Sequence, residues 1–239
     1  MTQDEALPWV LEPPHHGHPI PPAPMERWPT AEALVNIACD IQPDIGDDAP
    51  DVALGDWCDV MDVTRPAHKK LLVHALALCG LSCAGTEPTS PLRRFLNNGA
   101  QKKLPTRGAL SSVLRTPMGL WRVTEQCDDK WRLQDLIDME PAWTPEGPVD
   151  LSALATVSSR PIACGDTVCA RILPTYEGHT AVIGFYVEGA PCESVFEGWR
   201  QTVIARHHQE RPNGSIGCAV SRHGHLLARR LHQWAWHDA

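Results

Sequence analysis

The apolar positions of this chain follow two periods, first helical and then strand-like. Leu34, Ile37, Ala38 and Ile41 recur at i, i+3, i+4 and i+7, with Thr30 placed to cap a helix and Pro43 to stop it. Leu54, Trp57, Cys58 and Met61 repeat that spacing. The opposite face there carries Asp56, Asp59 and Asp62, which resembles a metal-binding face but is better read as an acidic solvated one. A third helix is predicted from about Pro66 to Cys83, apolar almost all round after Leu71 and so suited to a core. Ser90-Pro91 and Asn98-Gly99 frame a short helix, and another is predicted from Thr106 to Arg115, ended by Pro117.

The period then changes. Leu120–Val123, Trp131–Leu133, Ala153–Val157, Thr167–Leu173 and Thr180–Val187 are short, β-rich runs separated by Gly, Pro and Asp. Gly165-Asp166 is a turn signal, and Glu177-Gly178 marks a tight hairpin. Asp138–Asp150, with Pro141, Pro145 and Pro148, is predicted as a loop. After Pro191 the helical period returns with Val195, Phe196, Trp199 and Val203 on one face. Arg211-Pro212-Asn213-Gly214 breaks it, and a last amphipathic segment follows Ser221, with Leu227, Leu231 and Trp234 on one side.

Ahead of all this, residues 1–29 contain eight prolines, which remove backbone donors and leave extended coil as the default, with Trp9 and Trp28 as anchors onto a surface. The fold class expected is α+β: a Pro-rich disordered arm (1–29), a helical region (30–116), a small five-stranded SH3-like or OB-like β-barrel (117–190) and a C-terminal helical segment (191–239).

The stretch from Arg115 to Val187 resembles a module of poorly characterised bacterial SEC-C-motif proteins. The residues that carry the likeness are Thr116-Pro117-Met118-Gly119-Leu120-Trp121-Arg122-Val123, then Leu133-Gln134-Asp135-Leu136, then Ser159-Arg160 ahead of Gly165-Asp166, and finally Ala170-Arg171. The cysteine-rich zinc-type motif of those proteins is absent. The resemblance therefore implies a barrel module of a bacterial protein without a terminal metal knuckle, and it implies no activity.

Charge alters this picture because it comes in blocks. Residues 1–63 hold one basic and thirteen acidic side chains, a net of −12; residues 64–130 hold eleven and four, a net of +7. Residues 131–199 hold three and ten, a net of −7, and residues 200–239 six and two, a net of +4. The sharpest basic stretch, Arg93, Arg94, Lys102, Lys103, Arg107 and Arg115, has no acid between Pro88 and Thr124. It is the candidate surface for an acidic partner or a nucleic acid, against the plainer reading of a solvated face or an internal partner for the acidic arm. Met1–Glu5 is acidic where a secretory signal is basic, and the longest apolar stretch, Leu71–Gly85, is interrupted by His74 and Ser82. A cytoplasmic location without a membrane partner is expected.

Motifs for catalysis are missing: no G-x-S-x-G elbow, P-loop, G-x-G-x-x-G or H-E-x-x-H occurs. Nine cysteines are an odd number, and Cys79/Cys83 and Cys164/Cys169 lack the spacing of a zinc knuckle, so packing is the better reading and no cofactor is expected. Histidines cluster at 15–18, 207–208 and 223–225; His207, His208, His223 and His225 are the one constellation worth testing for a metal. The leading expectation is a non-catalytic interaction or accessory protein with a protein partner. The alternative is a nucleic-acid binder using the basic stretch, with Trp121, Trp131 and Arg171 on the barrel face. A Cys/His-dependent metal enzyme ranks third.

Overall fold

The computed structural model describes residues 21–36, 69–71, 73–74, 108–109, 112–113, 116–139, 141–156, 158, 160–210 and 216–237. It has the α+β character expected. Six strands form one mixed sheet: β1 (Gly119–Cys127), β2 (Lys130–Asp135), β3 (Val149–Asp150), β4 (Ala155–Thr156), β5 (Thr167–Thr175) and β6 (Gly178–Val187). Helices α1 (Glu193–Glu210) and α2 (Ile216–His237) follow.

The two long hairpins have local causes. Asp128, one of two residues between β1 and β2, sits at φ 55°, a left-handed conformation that Asp tolerates. Gly178 takes φ 129° at the turn between β5 and β6, where Glu177-Gly178 is read from the sequence as a hairpin. β1 joins the hairpins by pairing antiparallel with β5 from Gly119↔Ala170 to Arg122↔Thr167.

The sheet closes through β3. Val149 pairs antiparallel with Trp131 of β2 and parallel with His179 of β6, so β3, β2, β1, β5 and β6 form a ring of five strands. β4 lies farther along the same edge of β6, with Ala155↔Phe185 and Thr156↔Tyr186. The closing strand falls inside the Asp138–Asp150 segment read as a loop. Two residues directly after Pro148 are too few to show a period of two, although Val149 is fully buried.

β5 and β6 cross closely in the middle. Arg171 faces Ile183 while Ile172 faces Ala181, so Val182 is an extra residue and the strand bends there. Gly184 has φ 155°, and a methyl group on it would lie 2.1 Å from the Cys169 carbonyl oxygen, which leaves room for glycine alone. The Gly184 N–H leaves the sheet and donates to Nδ1 of His74 at 3.2 Å.

The central strands are apolar on both faces because both are covered, β5 being buried from Thr167 to Leu173. On α1, Phe196, Val203 and His207 are buried at helical spacing, on the face expected from the sequence. α2 begins at Ile216, ahead of Ser221, after which the sequence predicts it, and Val220, Leu227, Ala228 and Leu231 are buried along it. A Cβ on Gly224 would sit 2.4 Å from Cβ of Met118, so the helix lies directly on the entry to β1.

Thr30 caps helical residues 31–36 as expected: its Oγ1 accepts from the Ala33 N–H at 3.2 Å and its carbonyl from Leu34 at 3.0 Å. Leu34 of this helix and Leu71 of the apolar stretch are completely buried in the same core as Trp121 and Phe185. Trp28, expected as an anchor, is 6% exposed. No helix among the described residues is long and apolar enough to cross a membrane.

Candidate functional site

The basic candidates Arg93, Arg94, Lys102, Lys103, Arg107 and Arg115 lie outside the described residues. So do Cys79 and Cys83, and so do the side chains of His223 and His225, whose backbone belongs to α2. His207 and His208 are described, and they diverge. Neighbours on a helix point about 100° apart, which buries His207 and exposes His208, with ring centroids 6.4 Å apart. Among the described residues no three or more His, Cys, Asp or Glu side chains gather to hold a metal.

Two of the three side chains expected on a nucleic-acid-binding face are interior. Trp121 is 1% and Arg171 2% exposed, while Trp131 is partly buried. Alternation along a strand separates two faces, but in this ring both faces of β5 are covered. Arg171 donates to the carbonyls of Val113, at 3.1 Å, and Thr116. Ser112 and Val113 are helical, and the Thr116 N–H donates to the Ser112 carbonyl at 3.1 Å. A cation at a helix C-terminus satisfies carbonyls that have no partner within the helix. Burial pulls the guanidinium down to about 10, with the Cys169 thiol opposing.

A polar corner forms where β5 begins. The buried carboxylate of Asp166 takes two bonds from Arg160 (2.9 and 2.5 Å), one from the Ala163 N–H (2.8 Å) and one from the Gly189 N–H (3.1 Å). The Asp166 carbonyl accepts from Val123 at 2.9 Å, so this one residue ties the 160–166 loop, β1 and the exit from β6 together. Asp166, first, and Glu188 raise the Arg160 guanidinium above its ordinary value. Glu188 pairs with Arg160 at 3.4 Å and accepts from the Ser158 hydroxyl, and the Tyr186 hydroxyl donates to the Arg160 carbonyl at 3.3 Å. Cys164 is exposed on this loop, whereas Cys169 is fully buried and its thiol is pushed up by desolvation. Cys192 is exposed just ahead of α1; the Ser194 hydroxyl, 3.2 Å away, and the Val195 N–H lower its thiol. Four bonds commit the Asp166 carboxylate to Arg160 and to two backbone amides from different segments, which makes the corner a joint.

At the other end of the ring the two hairpin tips meet. Lys130 donates to the Glu177 carbonyl at 3.0 Å, and a Cβ on Gly178 would lie 3.6 Å from the Pro148 carbonyl. Glu125, Asp128, Asp129 and Glu177 are exposed here, and Arg132 is bound to Glu125 at 2.9 Å. Tyr176 stands at the tip of the β5–β6 hairpin, 75% exposed. Glu177-Gly178 reads from the sequence as a hairpin; that its tip lies beside the β1–β2 tip depends on the ring bringing the two hairpins together.

Comparison with family models, curated proteins and solved structures finds no match to this chain.

Proposed function

We propose that this is a non-catalytic interaction or accessory protein of a bacterial cytoplasm, and that its ring of strands is a small SH3- or OB-like barrel serving as a rigid platform. The likeness of residues 115–187 to the SEC-C-associated module is part of that reading. The observation that carries it is the contrast between the two ends of the ring. At one end Asp166 and Arg160 are spent on holding backbone together. At the other the tips of the two hairpins, joined by Lys130, carry the exposed Tyr176 and the exposed acids Asp128, Asp129 and Glu177, which suits a basic protein partner by charge and by cation–π contact.

The nucleic-acid reading loses two of its three ring-face contacts with the burial of Trp121 and Arg171, and the net of −7 over residues 131–199 repels phosphate. Purification of the untagged protein from its host at low and moderate salt tests the proposal. A protein partner that survives moderate salt and is lost on Tyr176→Ser supports it. Co-purifying nucleic acid that salt removes overturns it.

A further inference from the structure

β1 covers its side of β5 only as far as Ala170. Farther along, at the last residues of β5, that edge meets the chain's own N-terminal segment. Met25 forms a parallel bridge with Thr175, and its N–H points at the Pro174 carbonyl at 3.5 Å. The indole N–H of Trp28 donates to the same carbonyl at 2.8 Å, and the ring of Trp28 is buried. Pro174 has no N–H to offer, so its carbonyl is the recognition atom of this edge. The segment reads Pro21-Pro22-Ala23-Pro24-Met25-Glu26-Arg27-Trp28-Pro29. Its prolines hold it extended before it docks, which keeps the entropic cost of docking low. One backbone bridge for affinity and one buried side chain for specificity is how a peptide is added to a sheet edge. Tyr176, next along the strand, is left uncovered by the chain's own segment.

We propose that the β5 edge at Pro174 and Thr175 is a docking site for extended, proline-flanked peptides with a tryptophan three residues beyond the bridging position. Residues 21–29 fill it in cis and so hold it closed. This rests on the reading of the protein as an interaction module, and it names a class of partner for a second surface.

A fluorescent peptide of residues 21–30 is titrated by anisotropy into the full chain as wild type, Trp28→Ala and Met25→Pro. A tethered segment competes at an effective concentration of about millimolar, so wild type binds the peptide weakly. Trp28→Ala is expected to bind at least about tenfold tighter, and the peptide carrying Trp28→Ala is expected not to bind. Met25→Pro removes the backbone donor and leaves the indole; it is expected to gain severalfold, and it decides the matter if Trp28→Ala does not fold by circular dichroism. No gain over wild type in a folded variant, or equal binding of the altered peptide, overturns the proposal. A partner still recovered from the host in that case shows that only this inference has failed.

Discussion

Arg171, in the middle of β5, donates to the carbonyl of Val113, fifty-eight residues earlier in the chain, at 3.1 Å. A strand cation thereby closes a helical turn from the side. Replacing it with Met keeps the apolar stem and removes the donor from the Val113 and Thr116 carbonyls. Arg171→Met is expected to cost about 2–3 kcal/mol, the scale of buried acceptors losing a charged donor. A urea titration checks this through its midpoint at unchanged slope; a loss below about 0.5 kcal/mol, as at a neutral surface site, would contradict the capping role.

Asp166→Asn keeps the shape of the corner but turns an amide N–H₂ toward one of its donors. A loss of about 2 kcal/mol is expected. Arg160 is 39% exposed at its side chain, so most of that loss belongs to the two backbone amides. A double-mutant cycle with Arg160→Gln is expected to show a coupling smaller than the loss from Asp166→Asn itself.

His74 gives the fold a pH dependence. Its Nδ1 accepts the Gly184 N–H, and burial lowers its pKa from 6.5 to about 4; Glu32 opposes the shift and Lys70 adds to it. Between those values the unfolded chain binds the proton and the folded chain does not, so stability rises with pH. The contribution is full above 6.5 and disappears as pH falls through 4. It is on the order of 3 kcal/mol. Denaturation midpoints from pH 4 to 7 measure it, and His74→Gln, which still offers an acceptor, is expected to flatten the rise.

Two glycines with positive φ separate crowding from strain. Gly184→Ala places its methyl against the Cys169 carbonyl and Ala170, and a loss of about 3 kcal/mol or more is expected. Gly165→Ala meets nothing within 4 Å at φ 93°, so only the backbone cost of about 1–2 kcal/mol remains. Thermal midpoints of the pair, measured side by side, check the difference; equal losses would mean that the crossing of β5 and β6 relaxes.

What was legible in the sequence was whatever is encoded locally. The β5–β6 hairpin shows in Glu177-Gly178 between two β-rich runs, the α1 face in Phe196 and Val203, and the cap in Thr30. The closing strand was not legible, because Val149 and Asp150 are strand only by virtue of the edges of β2 and β6 beside them. Nor were the roles of the charged residues. Gly165-Asp166 reads correctly as a turn, but the partners of Asp166 come from positions 160, 163 and 189, and no spacing rule joins those. Arg171 in an apolar strand reads as a residue facing solvent, whereas its burial depends on a helix packed behind the sheet.

The two residues of β3 have a consequence for solubility. An open sheet offers its edge strands to any other chain, and such edges template aggregation. Here Val149 joins Trp131 of β2 to β6, Asp150 extends the pairing along β6 and β4 continues it, so the outer edge of β6 is occupied by the chain itself. A two-residue strand is too short to template pairing, yet long enough to deny the edge to a neighbour.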